Sequence, residues 1–220
     1  MTRLPSTRTR AARLCRAAPT TIALAGCLAM ALPAAAAAQP AWETTEIAVD
    51  LYKFRWQNHN GIFLVTDDGV LAVDPINVDA ARRMASEIRR VAPGAALAAI
   101  VYSHSDADHA TGAQALMDEM GQADVPIIAH ERAVAPILER ADPAQPLPTV
   151  TFAERMEVRL GGREVELHYL GRGHTDNMIV PYFADAGVDF AARFEANGPA
   201  GEQGLPGGSW PESLAAGWGC

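Results

Sequence analysis

Cysteine is nearly missing from this 220-residue chain, with only Cys15, Cys27 and Cys220 present. The first two fall in a segment that reads as removable. That leaves Cys220, and one thiol cannot staple its own chain. The mature domain must therefore stand on its hydrophobic core, with or without metal. Positive charge is also short. Against 26 acidic side chains there are 18 basic ones, and five of these, Arg3, Arg8, Arg10, Arg13 and Arg16, lie in the first sixteen positions. Without that segment the balance is 13 basic to 26 acidic, a net charge of −13. Such a surface repels phosphate backbones, which excludes nucleic acid as a partner through a general basic face. Lys53 is the single lysine among arginines, a matter of coding bias rather than mechanism. No internal repeat at 20–50 residues, no glycine-rich phosphate loop and no need for a Ser–His–Asp triad emerge.

No Asp or Glu precedes Glu43. The Arg-rich start, the apolar run from Thr20 to Leu32, Pro33 and an alanine tract ending near Gln39 form the three-part pattern of an export signal. Cleavage near Ala38 is expected, with residues 1–38 as signal peptide and a periplasmic or secreted product. The apolar stretch is short and diluted by alanine, so no transmembrane span is expected after signal removal. Leu24-Ala25-Gly26-Cys27 also resembles a lipoprotein box, and lipidation at Cys27 is the alternative. Against it, the residues after Cys27 stay apolar where a mature lipoprotein turns polar.

The mature chain is of single-domain size. Residues 46–56 alternate as a strand, Asn60-Gly61 signals a hairpin turn, and Ile62–Thr66 and Val70–Asp74 flank a second turn at Asp67-Asp68-Gly69. Three antiparallel strands therefore open the domain. Asp79 is placed to cap a helix running to about Val91, with Met84, Ile88 and Val91 at helical spacing. Leu97–Tyr102 is an apolar run expected of a buried strand. A polar loop, Ser103 to His109, and a helix, Thr111–Met120, come next. Further strands are expected at Val125–Ala129, Val150–Phe152, Met156–Leu160, Glu164–Leu170 and Met178–Phe183, with a short helix over Glu131–Arg140. Residues 197–220 hold seven Gly and three Pro without periodicity, so 185–220 reads as an irregular, disordered or frame-shifted tail.

The chemistry is concentrated in Tyr102-Ser103-His104-Ser105-Asp106-Ala107-Asp108-His109-Ala110-Thr111-Gly112. Four candidate metal ligands, His104, Asp106, Asp108 and His109, follow a buried strand, where open α/β folds place ligands. Imidazole with carboxylate suits Zn2+, and the hard carboxylates admit Fe or Mn. In an extended loop, residues 104, 106 and 108 share one side and His109 points away, so one loop can feed two neighbouring ions. The same loop also fits a solvated turn in which Asp108 caps the next helix. A second glycine-flexed loop, Leu170-Gly171-Arg172-Gly173-His174-Thr175-Asp176-Asn177, presents His174 as a distant ligand. His59 reads as a turn residue that can line the cleft. His130 reads as a helix cap and His168 as a residue on a solvated strand face. Trp42 and Trp56 read as packing.

These blocks, in this order, resemble the metallo-β-lactamase superfamily of metal-dependent hydrolases. The likeness runs from about Leu51 to Phe183 through GIFLVTDDGVLAVDP, VYSHSDADHATGA, IIAHERA and GRGHTDN. It implies an α/β (α+β) fold, a four-layer αββα sandwich with the metal site at one edge, over residues 39–184. The family loop is His-x-His-x-Asp-His, so the resemblance makes His104, Asp108, His109 and His174 ligands of one or two Zn2+ ions. Asp106 stands where the family has its second His. No His follows His174, which implies that part of the second half of the fold is missing. The implied activity is hydrolysis of an ester, thioester, lactam or related bond in a small-molecule substrate, with Asp108 orienting the nucleophile or shuttling its proton. The alternative is a catalytically inactive metal-binding remnant of the same fold. The sequence sets no oligomeric state.

Overall fold

Residues 41–192 are described by a computed structural model of the chain. Strands with two apolar faces decide its layering. Seven strands, β1 (Trp42–Ala48), β2 (Leu51–Trp56), β3 (His59–Thr66), β4 (Gly69–Val73), β5 (Leu97–Val101), β6 (Ile127–His130) and β7 (Val150–Phe152), lie in one sheet in chain order. The first four pair antiparallel and β4 to β7 pair parallel. The connections carry α1 (Val78–Val91), the single turn α2 (Ala107–Ala110), α3 (Ala113–Met120) and α4 (Val134–Arg140). A second, antiparallel sheet holds β8 (Arg155–Leu160), β9 (Arg163–Tyr169), β10 (Ile179–Phe183) and β11 (Val188–Asp189).

Every residue of β4 is buried, as expected of a strand covered on both faces. Val70 and Ala72 pack with Met84, Ile88 and Leu116 on the helical side. Leu71 and Val73 face Val165, Leu167, Ile179 and Phe183 of the second sheet. Full burial of each such aliphatic or aromatic side chain stabilises the fold by about 1.5–3 kcal/mol. The layers are therefore helices, large sheet, small sheet; no fourth layer forms among the described residues. The expected export signal and the tail beyond Ala192 lie outside them. The chain turns after Ala184 and returns as β11, pairing Val188 with Phe183, so the small sheet continues past the expected end of the domain. No described helix is long and apolar enough to cross a membrane.

Three local expectations change. The strand expected over 46–56 is two strands, β1 and β2, reversed at a turn where Asp50 takes φ 59°. The alternation runs through the turn and hides it. Asn60-Gly61 is not a turn either; both residues lie inside β3, and the chain reverses at Gln57, φ 53°. Gly61 is needed for closeness, because a Cβ there would lie 2.4 Å from the Asp74 carbonyl oxygen. The cap of α1 is Asn77, whose side chain accepts from the Ala80 amide at 3.0 Å. Asp79 sits in the first turn, where its charge complements the helix dipole.

Candidate metal centre

Parallel strands β4 and β5 end at one edge of the large sheet, and antiparallel β3 begins there. Topology thus gathers His59 from the start of β3, Asp74 from beyond β4, and the segment from Ser103 to His109 from beyond β5. The loop between β9 and β10 brings His174. The segment is not extended throughout. Its second half coils into α2, which carries Asp108 toward His59 while His109 stays beside His104.

Three overlapping donor groups result, each with ligand atoms within 4.8 Å of one another: His104 with Asp106 and His174, His59 with Asp108 and His109, and Asp74 with His104 and His109, the last joining the other two. In the first, Asp106 Oδ2 lies 3.0 Å from His174 Nε2 and 3.5 Å from His104 Nε2. In the second, His59 Nε2 lies 2.9 Å from Asp108 Oδ2. The groups abut, with His104 and His109 ring centroids 4.5 Å apart. All five residues expected from the sequence, His104, Asp106, Asp108, His109 and His174, are therefore brought together. His59 joins them, and its place was obscured by the neighbouring Asn60-Gly61.

Asp74, fully buried, sets the imidazole orientations. As a carboxylate it only accepts. It takes the Ser103 amide at 2.8 Å, the Ser103 hydroxyl at 2.5 Å and His109 Nδ1–H at 3.1 Å. The Ser103 proton is thus committed, so the 2.8 Å contact between Ser103 Oγ and His104 Nδ1 is donated by His104. The network assigns both rings the Nδ1–H tautomer, leaving each Nε2 as the lone-pair nitrogen a metal requires. His104 Nε2 is buried and makes no hydrogen bond. An unsatisfied buried acceptor costs about 1–3 kcal/mol, a cost that coordination to a metal ion would offset. Burial, opposed by Asp74 and Asp106 and aided by His109 and His174, lowers the His104 pKa. The donor set fits a divalent ion.

The two ligand loops are locked together. The Ser105 amide donates to Asn177 Oδ1 at 2.8 Å, Asn177 Nδ2 donates to Ser105 Oγ at 3.1 Å, and the Ile179 amide donates to the Ser103 carbonyl at 2.7 Å. Arg140 and Gln145 both donate to the Ser105 carbonyl, at 2.7 and 3.0 Å. Asn177 carried a signal, being part of the GRGHTDN block. Gln145, in a proline-rich connection, carried none.

The remaining candidates are structural. His130 is buried; its Nδ1 accepts from the Arg132 amide, and its Nε2 lies 2.7 Å from the Ala153 carbonyl. His168 pairs with Glu166 at 2.7 Å. Trp42 packs under the Arg83 guanidinium, 3.4 Å from the ring centroid. Asp185 pairs with Arg163 and Asp189 lies in β11; neither belongs to a donor group.

An α/β fold with abutting His–carboxylate groups at one sheet edge defines a class of metal-binding proteins. The sequence model of the metallo-beta-lactamase superfamily matches residues 54–219, and the chain belongs to that superfamily. It is 30% identical over 164 residues to the 2,4-dinitroanisole O-demethylase subunit alpha of Nocardioides sp. (strain JS1661), covering 72% of this chain and 49% of that protein. The chain thus spans about half the length of the curated relative it matches. Among solved structures, the metallo-beta-lactamase from Pontibacter korlensis superposes with a TM-score of 0.57 at 21% identity, covering 68% of this chain and 70% of that one. A histidine-to-aspartate mutant of the flavo di-iron protein from Thermotoga maritima gives 0.58 at 16% identity, covering 69% and 41%. Likeness at these identities is likeness of fold.

Proposed function

We propose that the chain is a metal-dependent hydrolase of small molecules, using zinc, with iron or manganese admitted by its carboxylates. The observation that carries this reading is the buried, unbonded His104 Nε2 beside Asp106 and His174. His104, Asp106 and His174 would hold one ion; Asp108 and His109, with His59, would hold a second. When bound, a divalent ion supplies water acidified toward neutral pH and polarises the scissile carbonyl. Asp108, its side chain 44% exposed, is open to a water and a substrate, and His59 fixes its carboxylate. Asp108 therefore orients the nucleophile or takes its proton. Asp74 and Ser103 keep the imidazoles in register throughout.

The bonds to screen are esters, thioesters and lactams. The name of the Nocardioides relative adds an aryl methyl ether. Metal per purified chain, measured by elemental mass spectrometry, is the first test. About two equivalents, retained on dialysis, support the hydrolase. One equivalent or less, lost on mild dialysis, supports an inactive metal-binding remnant, the reading that Asp106 in place of a family His favours. Asp106→His is expected to raise zinc affinity, because imidazole is the better zinc donor here; unchanged affinity in a chelator competition would mean that Asp106 is no ligand. Export is part of the proposal. Mass spectrometry of the mature protein is expected to place its first residue near Gln39, whereas a lipidated Cys27 would establish the alternative.

A further inference from the structure

The loop that carries His174 joins β9 to β10 and is closed across its base. It leaves Tyr169, the last residue of β9, and contains Gly171 at φ 97° and a second glycine, Gly173. Glycines give such a loop many conformations to choose from. At the base, the Tyr169 hydroxyl donates to Asp176 Oδ1 at 3.2 Å. Arg132, in the 3-10 turn Glu131–Ala133 after β6, donates from Nη1 to both the Tyr169 hydroxyl and Asp176 Oδ1, each at 3.0 Å. Tyr169 is itself held, its ring stacked on buried His130 with centroids 4.0 Å apart. His130 in turn accepts from the Arg132 amide, so these four residues form a closed set.

His174 differs from His104 and His109 in how its ring is held. Those two rings are fixed through Nδ1, by Ser103 and Asp74 respectively. Among the described residues His174 makes one hydrogen bond, between Nε2 and Asp106 Oδ2, and its side chain is 42% exposed. No side chain orients its Nδ1, so the ring goes where the backbone of the loop puts it. Asn177 ties the end of that loop to Ser105. Asp176, one residue nearer His174, ties the same limb back to Tyr169 and to the turn after β6.

We propose that Arg132, Tyr169 and Asp176 form a clamp that holds His174 in place as a ligand, which makes Arg132 a positioning residue for the ion of His104, Asp106 and His174. The inference rests on the metal reading of that group and adds to it residues that are not ligands. Closing the loop across its base removes conformations in which the unoriented ring leaves its partners. The Arg132 and Asp176 side chains are 51% and 52% exposed, so their ion pair alone is weak. Its effect is therefore expected at the lower end of the 10- to 100-fold range for groups that orient a ligand. Charge alone predicts the opposite sign. A guanidinium repels a divalent cation, so its removal would tighten metal binding, whereas loss of a clamp weakens it.

The test is the zinc affinity of the full chain, by competition with a chromophoric chelator, with the urea midpoint of each metal-free variant measured alongside. Arg132→Met keeps the stem and removes the donors. It is expected to weaken about tenfold the zinc equivalent that His174→Ala removes, and to leave any other unchanged. Arg132→Lys is expected to recover most of that loss, because both contacts leave from one nitrogen and an ammonium has three donors. Tyr169→Phe keeps the ring on His130 without the hydroxyl, and is expected to weaken the same equivalent about threefold; it carries the decision if Arg132→Met does not fold. In the His174→Ala background, Arg132→Met is expected to change nothing further, since no imidazole is left to position. A wild-type chain that takes up no zinc, or none that His174→Ala removes, ends the ligand role of His174 and the clamp with it. Unchanged or tighter zinc in folded Arg132→Met, or an equal loss in the His174→Ala background, would overturn the clamp alone and leave the metal reading standing.

Discussion

Replacing Asp74 with Asn is expected to weaken metal binding by about 10- to 100-fold, the usual cost of losing a group that orients a ligand. Asn is the informative variant because it keeps the shape. Asp74 sits at φ 51°, a conformation that Asn tolerates as well as Asp does and that Ala tolerates poorly. What changes is direction. The carboxylate accepts from three donors, two on Ser103 and one on His109. An amide cannot accept through its nitrogen, so in a fully buried place the Ser103 amide loses its acceptor if the nitrogen replaces Oδ1, and the Ser103 hydroxyl and His109 both lose theirs if it replaces Oδ2, at about 1–3 kcal/mol for each group left unpaired. If the amide nitrogen turns toward His109, it donates to Nδ1 and drives the ring proton to Nε2, the atom the metal needs. Competition against a chromophoric chelator measures the affinity, and urea unfolding of the metal-free protein measures the stability separately. Lost stability with unchanged affinity would make Asp74 a purely structural residue.

The sequence disclosed what one-dimensional patterns can carry. The runs Val70–Val73 and Leu97–Val101 are apolar throughout because both faces of β4 and β5 are covered, and such runs are visible without coordinates. Four candidate ligand side chains in six residues were visible by their density alone. The direction in which they point was not. It depends on α2, a four-residue turn too short to show any periodicity, and that turn sends Asp108 toward His59 rather than toward Asp106. His59 read as a turn residue that can line the cleft, because the glycine two residues on mimics a hairpin signal. The requirement for Gly61 comes from the Asp74 carbonyl, across two paired strands. Spacing along the chain cannot express a constraint of that kind.

Gly112 is governed by the same sort of constraint, and Gly112→Ala is expected to destabilise the chain by about 3 kcal/mol, the upper range for overpacking. Its φ of −87° is ordinary for alanine, so backbone conformation is not the reason. Space is. A Cβ would lie 2.2 Å from the Pro75 carbonyl oxygen and 2.8 Å from that of Asn77, both main-chain atoms. The segment it would push is itself pinned. Ile76 takes φ 67°, costly for a β-branched residue, and is held there by its amide donating to the His109 carbonyl at 2.8 Å and by a bridge to Ala110. Asn77 meanwhile caps α1. Moving this strap disturbs the cap and the turn carrying Asp108 and His109 together, so metal affinity should fall with stability. Gly121→Ala is the control. It has open space around it but φ 70°, so it should cost about 1 kcal/mol through the backbone and leave metal affinity intact. Urea midpoints and chelator competition on both variants separate the two cases. If Gly112→Ala costs no more than Gly121→Ala, the strap yields freely and the donor groups do not depend on it.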